Sequence, residues 1–452
     1  MPDKILPIRR LKNEIRRGER KISIHGIGFV GTSIATVWLR VKAHILAVDR
    51  NPVVIQAIDD GKSPTGEPSS DEAFSNGIIE KRLITTTNGT WATKNSRIMI
   101  VSVPVGVNKE GADLSNLESA INDIALGLKK GDAVVVTPTL PPTTSKNLIG
   151  ILEEKSNLIV ERDFYYIYSP ERIAVGQAVA DIEENYPAIV SGAGSKSLAF
   201  AKDLYSIIAS KGIIAMSSTT AAESEKLFEG VYRDVNIALA NEFGRLCEKL
   251  DVDFWEIRNA SNSQPYSHIH ATGIGVGGFC IPVYPKMLIE SGKRVGVSTD
   301  LTITSRKINR SMPKNSVNRS IEELKRRKRN ISGSKVAVLG LSFRGDIPDR
   351  RLSPTYDVIR ELKKYNLKIS VHDPFFNSDD QLGIDILLSK NLRKVIKGAD
   401  LIIIATGHSI YKKLNERSVR KMTGKAPILF DGRGILSSKS FPKLRFLKVG
   451  TS

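Results

Sequence analysis

The cysteine at position 280 lies in the segment GVGGFCIPVYP, residues 275–285, with glycines before it and prolines after it. Small buried cysteines in tight turns are usually inert, so spacing alone leaves that interpretation open. The chemical interpretation is a nucleophile, because Gly277 and Gly278 carry no side chain that would keep a substrate from the sulfur. Backbone N–H groups nearby can also lower a thiol pKa or hold an oxyanion. The other cysteine, Cys247, lies in the helical stretch NEFGRLCEKL and is predicted to be a packed core residue.

Charged residues in two other segments are further candidates. Lys226 lies in AAESEKLFEG, and Glu171 and Arg172 lie in YSPERI. A lysine on an amphipathic helix is usually solvated, and a neighbouring Glu–Arg pair is usually a surface ion pair. YSPERI follows an apolar strand, however, and in open α/β sheets ligands bind at the carboxyl ends of strands. Both interpretations remain open on spacing alone.

A glycine motif of the form G-x-G-x-x-G follows the first apolar run, at Gly26, Gly28 and Gly31. The first glycine permits a tight turn, the second lets the backbone approach a pyrophosphate, and the third lets helix and strand pack closely. Asp49 ends the next strand about 20 residues on, where a carboxylate can hold a ribose hydroxyl pair. Strand, glycines and acid together predict dinucleotide binding. The carboxylate favours NAD over NADP, although Arg50 beside it weakens that preference.

Composition sets wider limits. With 452 residues, the chain is too long for a single core. The net charge of +19 indicates anionic partners without choosing among them. No apolar run approaches the roughly 18 residues that cross a bilayer, and the charged N-terminus lacks the apolar core of a secretory signal. Two cysteines and six histidines without ligand spacing predict a cytoplasmic protein with no disulfide framework and no metal.

Short apolar runs alternate with helix-like stretches in two parts of the chain, and a helical pattern without strand signals separates them. Within the helical part, Thr220 is predicted to cap a helix with Glu223 three residues on. The predicted class is α/β, with two Rossmann-like, doubly wound parallel-sheet domains joined by a helical middle domain. The predicted segments are a basic extension, an NAD domain, a helical middle domain with the lysine and cysteine, and a second Rossmann-like domain, at residues 1–20, 21–215, 216–330 and 331–452.

Eight short motifs follow one another over nearly the whole chain. They are GIGFVG, TLPPTT, SPERI, AAESEKLFEGVYRDVNIALANE, GVGGFCIPVYP, INRSMP, VAVLGLSFRGDIPDRRLSP and DGRG. With these motifs the chain resembles the nucleotide-sugar 6-dehydrogenases, the family of UDP-glucose dehydrogenase. SPERI, YRDVNIALANE and GGFCIPV point to the branch that acts on UDP-N-acetylmannosamine or UDP-N-acetylglucosamine.

The resemblance implies oxidation of the sugar C6 alcohol to a carboxylate with two NAD, through a thiohemiacetal and a thioester on Cys280. It implies that Lys226 stabilises oxyanions, that Glu171 assists thioester hydrolysis, and that Thr139 lies near the nicotinamide and the catalytic water. It also implies a homodimer or dimer of dimers, formed through the helical middle domain.

Three arginines also match family positions that face the ligands. Arg351 matches an arginine on the cofactor side, Arg433 matches one on the substrate side, and Arg344 replaces a substrate-phosphate lysine. A guanidinium suits diphosphate oxygens because it can donate two parallel hydrogen bonds. The ligands implied are NAD and a UDP-sugar.

Among the departures from the pattern of relatives, two lie close in the sequence to Lys226 and Cys280. Gly230 stands where relatives usually carry Asn, and Tyr284 stands where UDP-glucose enzymes carry Asp. Losing one preorganised donor can cost on the order of 3 kcal/mol of transition-state stabilisation. A catalytically impaired nucleotide-sugar-binding protein is therefore one alternative, and a UDP-glucose 6-dehydrogenase is another. Nucleic-acid binding, suggested by the charge and by KRRKRN, is disfavoured because no aromatic residues interleave that run.

Overall fold

The structure is a computed structural model and describes residues 8–65, 70–108, 111–328 and 330–451. The chain forms two compact units, the first ending at Phe228 and the second beginning at Glu229. Among the described residues, no helix is both long and apolar enough to cross a membrane.

The strands of the first unit are short, mostly four residues. They are β1 Ile22–His25, β2 Ile45–Val48, β3 Leu83–Thr86, β4 Ile98–Val101, β5 Gly106–Val107, β6 Ala112–Asp113, β7 Ala133–Val136, β8 Tyr165–Tyr168, β9 Ala188–Gly192 and β10 Ile213–Ala215. The helices are α1 Ile8–Arg16, α2 Phe29–Arg40, α3 Pro52–Asp59, α4 Ser70–Ile79, α5 Gly89–Lys94, α6 Ser115–Ala125, α7 Thr144–Ser156, α8 Ala178–Ala180, α9 Ser195–Tyr205 and α10 Thr219–Leu250. A π-helical turn, Asp181–Asn185, follows α8, and α10 continues into the second unit.

Within the described part of the first unit, one sheet runs in the order β10-β9-β8-β7-β4-β1-β2-β3. Every residue of β1, β2, β4 and β7 is buried, as expected when helices cover both faces of a parallel sheet. The order in which successive strands are added reverses between β1 and β4, which creates the crevice where doubly wound sheets bind ligands. One pairing departs from the predicted parallel arrangement, since β9 runs antiparallel to β8.

Helix α1 covers part of the segment predicted as an N-terminal extension. Its Leu11 and Ile15, four residues apart on one face, are buried in the core of the first unit. Residues 1–7 of that predicted extension lie outside the described residues.

The second unit contains the end of α10 and a second α/β sheet. Its further helices are α11 Phe254–Ser261, α12 Tyr284–Arg294, α13 Asp300–Arg327, α14 Pro354–Lys363, α15 Leu392–Ile396, α16 Ser409–Lys412 and α17 Glu416–Thr423. Its strands are β11 Lys335–Leu339, β12 Lys368–His372, β13 Leu387–Ser389, β14 Leu401–Ile404, β15 Ile428–Asp431 and β16 Phe446–Lys448. A single 3-10 turn, Ser438–Ser440, precedes β16.

The described strands of this unit are all parallel, in the order β13-β12-β11-β14-β15-β16. This is the order of a Rossmann fold, with the switch point between β11 and β14. The predicted class of two Rossmann-like sheets with a helical region between them is confirmed.

Candidate functional site

The glycine loop between β1 and α2 has the form that a dinucleotide requires. Gly26 has φ +93°, and its N–H donates to the Val48 carbonyl at 2.8 Å. A Cβ on Gly31 would lie 1.9 Å from the Gly26 carbonyl oxygen, so close packing of helix on strand requires glycine there. A Cβ on Gly28 would meet no described heavy atom within 4 Å. The space above Gly28, at the N-terminus of α2, therefore suits an approaching pyrophosphate.

Asp49 lies beside this loop at the end of β2. One carboxylate oxygen accepts a hydrogen bond from the Ile27 N–H, and the other accepts one from the Asn51 N–H, both at 2.9 Å. The side chain is half-buried and retains lone pairs for a ribose diol. Arg50 instead points to α6, where it contacts Ser119 and lies 3.8 Å from Asp123.

A second group of predicted residues follows β8. Burial raises the pKa of Glu171 to about 7, while the positive charges of Lys226 and Arg172 act in the opposite direction. Lys226, on the first turns of α10, is only 5% exposed. The guanidinium of Arg172 donates to the Pro187 carbonyl and lies 5.1 Å from the centre of the Tyr186 ring. Glu171 can therefore exchange a proton near neutral pH, with a cation close by.

The loop that carries Thr139 is held by Glu223, which the sequence analysis had placed in a helix cap. Glu223 is fully buried and accepts hydrogen bonds from the N–H groups of Thr143 and Ser145, both at 2.7 Å. It thereby holds the start of α7, and Thr143 takes a left-handed φ of +74°. The predicted Thr220 cap of α10 is wrong. The Ser218 hydroxyl accepts from the Ala221 N–H instead, because α10 begins at Thr219 and Thr220 already lies in its first turn.

In the second unit, Cys280 lies on an exposed turn before α12. Its carbonyl accepts hydrogen bonds from the N–H groups of Val283 and Tyr284, both at 3.0 Å. The other cysteine is buried, and burial raises its pKa. The two glycines before Cys280 pack against Phe343, because a Cβ on Gly277 or Gly278 would come within 2.8 Å of that side chain. Their lack of a side chain thus has a packing reason.

The described contacts bring two of the three predicted ligand arginines of this unit onto the Cys280 segment. Arg351 pairs with Asp349 at 2.6 Å, and its guanidinium lies 5.5 Å from the centre of the Phe279 ring. Arg433 donates to the carbonyls of Gly275, at 3.0 Å, and Ala405, at 2.7 Å.

Burial lowers the pKa of Arg433 to about 10, and its Nη2 is buried with no hydrogen-bond partner among the described residues. That donor suits a substrate anion. Arg344 is exposed in the loop after β11.

A buried polar network in the same unit was not predicted. Asn241 accepts from the Thr272 hydroxyl and the Gly273 N–H at 3.0 and 2.9 Å, and so holds the segment before Cys280. Asn309 accepts from Asn241 at 2.9 Å and donates to the Asp234 carboxylate at 2.8 Å. The available signal was the spacing of Asp234 and Asn241, which lie seven residues apart on one helix face in an otherwise apolar row.

The described residues include no group of three or more His, Cys, Asp or Glu side chains arranged to hold a metal ion. What they offer in the first unit is a glycine loop of dinucleotide-binding form, a half-buried carboxyl that exchanges a proton near neutral pH, and a buried ammonium. In the second unit they offer an exposed thiol with arginines beside its segment. An exposed thiol can attach an electrophilic substrate covalently, and the arginines suit an anionic one.

Comparison with known proteins gives a consistent result. Three domains of the UDP-glucose/GDP-mannose dehydrogenase family match in order: the NAD binding domain over residues 20–209, the central domain over 220–311 and the UDP binding domain over 337–438. A UDP-N-acetyl-D-mannosamine dehydrogenase of Pyrococcus horikoshii is 31% identical over 416 residues, covering 92% of this chain and 96% of the relative.

Solved structures agree with this match. That of the UDP-D-ManNAc dehydrogenase from Pyrococcus horikoshii has a TM-score of 0.87 at 30% identity, covering 95% of this chain and 99% of the other. That of the NDP-N-acetyl-D-galactosaminuronic acid dehydrogenase from Methanosarcina mazei Go1 has a TM-score of 0.82 at 27% identity, covering 98% of each chain.

Proposed function

The chain belongs to the UDP-glucose/GDP-mannose dehydrogenase family, and we propose that it oxidises the C6 alcohol of a UDP-N-acetylhexosamine to the carboxylate. As a family member it is an NAD-dependent oxidoreductase acting on nucleotide sugars. UDP-N-acetylmannosamine is the favoured substrate and UDP-N-acetylglucosamine the next. The names of the relatives from Pyrococcus horikoshii and Methanosarcina mazei, both for N-acetylated sugars, support this choice.

The single observation that carries the mechanism is the exposed Cys280 on its glycine-rich turn, in contrast to the buried Cys247. In the proposed reaction the alcohol first loses a hydride and a proton and becomes an aldehyde. The Cys280 sulfur then bonds to the aldehyde carbon, and the carbonyl oxygen takes a proton to give a thiohemiacetal. Loss of a second hydride and a proton gives a thioester. Water adds to it, the carbon–sulfur bond breaks, and the carboxylate leaves.

Three side chains of the first unit are proposed to serve these steps. The Lys226 ammonium stabilises the oxyanions formed when sulfur or water adds to the carbonyl carbon. Glu171 accepts a proton from the water that hydrolyses the thioester, a role supported by its pKa of about 7. Thr139, in the loop that Glu223 holds, orients that water. Covalent attachment keeps the reactive aldehyde bound between the two oxidations.

NAD fits the first unit on the observations above, and when bound it accepts one hydride in each oxidation. The residues proposed to hold it are the three glycines of the loop, Asp49 and, from the second unit, Arg351. The open space at Gly28 suits the pyrophosphate, and the Asp49 carboxylate suits the ribose hydroxyls. Because Arg50 contacts Ser119, the acid favours NAD over NADP.

The UDP part of the substrate is proposed to bind the second unit, whose sheet matches the family's UDP binding domain. Arg344 and the unpartnered Nη2 of Arg433 are the proposed diphosphate ligands, and Arg172 of the first unit is a third substrate-side candidate. Two parallel N–H donors per guanidinium suit phosphate oxygens.

A homodimer is proposed from the outer face of α10. Apolar side chains at Tyr232, Leu239, Phe243, Leu246 and Leu250 are each at least 37% exposed. Their spacing of seven, four, three and four residues places them on one stripe, and a helix that is apolar on two faces buries both. A second copy would cover this stripe. Leu246→Glu should then shift the hydrodynamic mass to that of a monomer, whereas Ile384→Glu, at an exposed loop position, should not. A monomeric wild type would contradict the proposal.

Paired serine variants test the role of the thiol. Cys280→Ser should bind NAD and the nucleotide sugar but produce no uronate, whereas Cys247→Ser should keep the wild-type turnover. Substrate titration monitored by NADH absorbance and by calorimetry measures both properties. Full uronate production by Cys280→Ser would contradict the covalent mechanism.

A further inference from the structure

Gly230 of α10 and Tyr284 of α12 are in contact with each other. A Cβ on Gly230 would lie 2.2 Å from Cδ2 and 3.0 Å from Cε2 of the Tyr284 ring, closer than side-chain carbons approach. The ring therefore occupies the volume that any larger residue at position 230 would need. Gly230 is buried on α10, and Tyr284 is 7% exposed. The Tyr284 ring fits at this position because residue 230 carries no side chain.

Tyr284 is also tied to Cys280 through the backbone. It begins α12, and its N–H donates to the Cys280 carbonyl at 3.0 Å, as does that of Val283. Pro282 and Pro285 on either side limit the backbone of this turn. A shift of the Tyr284 ring on α10 would therefore move the cysteine as well.

The segment that carries Cys280 thus has two attachments to α10. Before the cysteine, Asn241 holds Thr272 and Gly273 by hydrogen bonds. After the cysteine, the attachment is a van der Waals contact: the Tyr284 ring packs into the space that a side chain at position 230 would fill. Close-packed interiors resist displacement, because a ring that fits its site cannot move without opening a void or a clash.

We propose that Tyr284 is a positioning residue that fixes Cys280 by seating its ring on Gly230 of α10. The consequence for catalysis rests on the proposed function, whereas the positioning itself does not. On this view Gly230 and Tyr284 are matched in size, and their contact holds the thiol in place.

The test uses a Cys247→Ser background, in which Cys280 is the only thiol. The variants are Gly230→Ala, Tyr284→Ala, their double variant and Tyr284→Phe, with Gly150→Ala as control. Gly150 lies within a helix, where a Cβ would meet no described atom within 4 Å. Two properties are measured for each: the pH profile of Cys280 alkylation by iodoacetamide, and the midpoint of thermal unfolding.

Gly230→Ala should change the alkylation rate of Cys280 by about fivefold or more, since overpacking displaces the ring. The same substitution added to the Tyr284→Ala variant should have almost no further effect, which is the non-additivity of two residues in contact. Tyr284→Ala should alter the profile, Tyr284→Phe should keep it because the ring is retained, and Gly150→Ala should leave it unchanged.

Three outcomes would overturn the inference. Additive effects of the two alanine substitutions would contradict the size match. An altered unfolding midpoint with an unchanged alkylation profile would mean packing without positioning. A Tyr284→Phe profile like that of Tyr284→Ala would assign the effect to the hydroxyl. If alkylation responds as expected but the wild type oxidises no nucleotide sugar, the proposed function fails and this inference stands.

Discussion

Asp49 in the first unit and Asp373 in the second each follow the second strand of a Rossmann-like sheet. Each accepts a hydrogen bond from the loop after the first strand, from Ile27 at 2.9 Å and from Leu341 at 2.8 Å. The loops begin alike. The first glycine of each has positive φ, +93° at Gly26 and +101° at Gly340.

The two loops differ two residues after that glycine. The first loop has Gly28, open above, whereas the second has Ser342, which is fully buried. Both the N–H and the hydroxyl of Ser342 donate to Asp373, at 2.8 and 3.1 Å. The His408 ring and the Phe375 N–H supply further donors, and the two oxygens of Asp373 therefore accept five hydrogen bonds in all. The side chain is fully buried. The open space at Gly28 leaves Asp49 accessible, as its proposed role requires, whereas Ser342 donates to Asp373 and helps to bury it.

The largest expected effect is the loss of folding stability on substitution of Asp373. Asp373→Asn turns an NH₂ group toward backbone donors on one side of the carboxylate, so we expect a loss of about 3 kcal/mol in the free energy of unfolding. Its hydrogen bonds keep the pKa of Asp373 below its ordinary value despite burial, so this contribution is present at neutral pH and is lost in acid. Denaturant unfolding at pH 7 and pH 3 measures both. Equal stability of variant and wild type at pH 7 would contradict the assignment.

A smaller effect, of another kind, is expected for the first acid. Asp49→Asn should raise KM for NAD about tenfold, because a charge-assisted bond to the ribose diol is weakened. Its unfolding free energy should fall by less than that of Asp373→Asn, since the half-buried Asp49 can exchange donors with water. Initial rates at varied NAD measure the first quantity. If Asp49→Asn left KM for NAD unchanged and lowered the free energy of unfolding as much as Asp373→Asn does, the two acids would not have different roles.

The smallest effect concerns a third acid at a strand end, Glu171. Burial acts on both acids, but at Glu171 it outweighs the opposing charges and raises the pKa from 4.5 to about 7, whereas at Asp373 the hydrogen bonds outweigh it. As the proposed base it must be ionised, so turnover should fall several-fold between pH 8 and pH 6. Glu171→Gln should be slow at both values without that decline. In the wild type, the free energy of unfolding should fall as pH rises from about 4.5 to 7, because the folded state holds the Glu171 proton more tightly than the unfolded state does. The Glu171→Gln variant should lack this fall. A parallel decline in the variant would assign the titration to another group.

Much of the fold followed from the sequence, because buried parallel strands are nearly continuous apolar runs. The runs at 44–49, 97–104 and 132–139 contain β2, β4 and β7. Strand β3 was missed because two of its four residues are threonines, and β9 because an antiparallel partner leaves no local mark. The role of Glu223 was missed because its hydrogen-bond partners lie some 80 residues earlier in the chain, beyond any local pattern.

At the site, residue types predicted the glycine loop and Asp49, because their geometry is local to one strand–turn–helix unit. The contact between Gly230 and Tyr284 was not predictable, since the two residues lie on different helices. In the sequence each one indicated only a missing polar side chain. The pKa of Glu171 likewise depends on burial, which no spacing reveals.

The proposed reaction is a four-electron oxidation of an N-acetylated UDP-sugar. The most direct measurement counts NADH formed per sugar consumed, with excess NAD and four substrates: UDP-N-acetylmannosamine, UDP-N-acetylglucosamine, UDP-N-acetylgalactosamine and UDP-glucose. Two NADH per sugar, with UDP-N-acetylmannosamine turned over fastest, is the predicted result. One NADH per sugar with a free aldehyde as product, a clear preference for UDP-glucose, or bound ligands without any NADH would contradict the account.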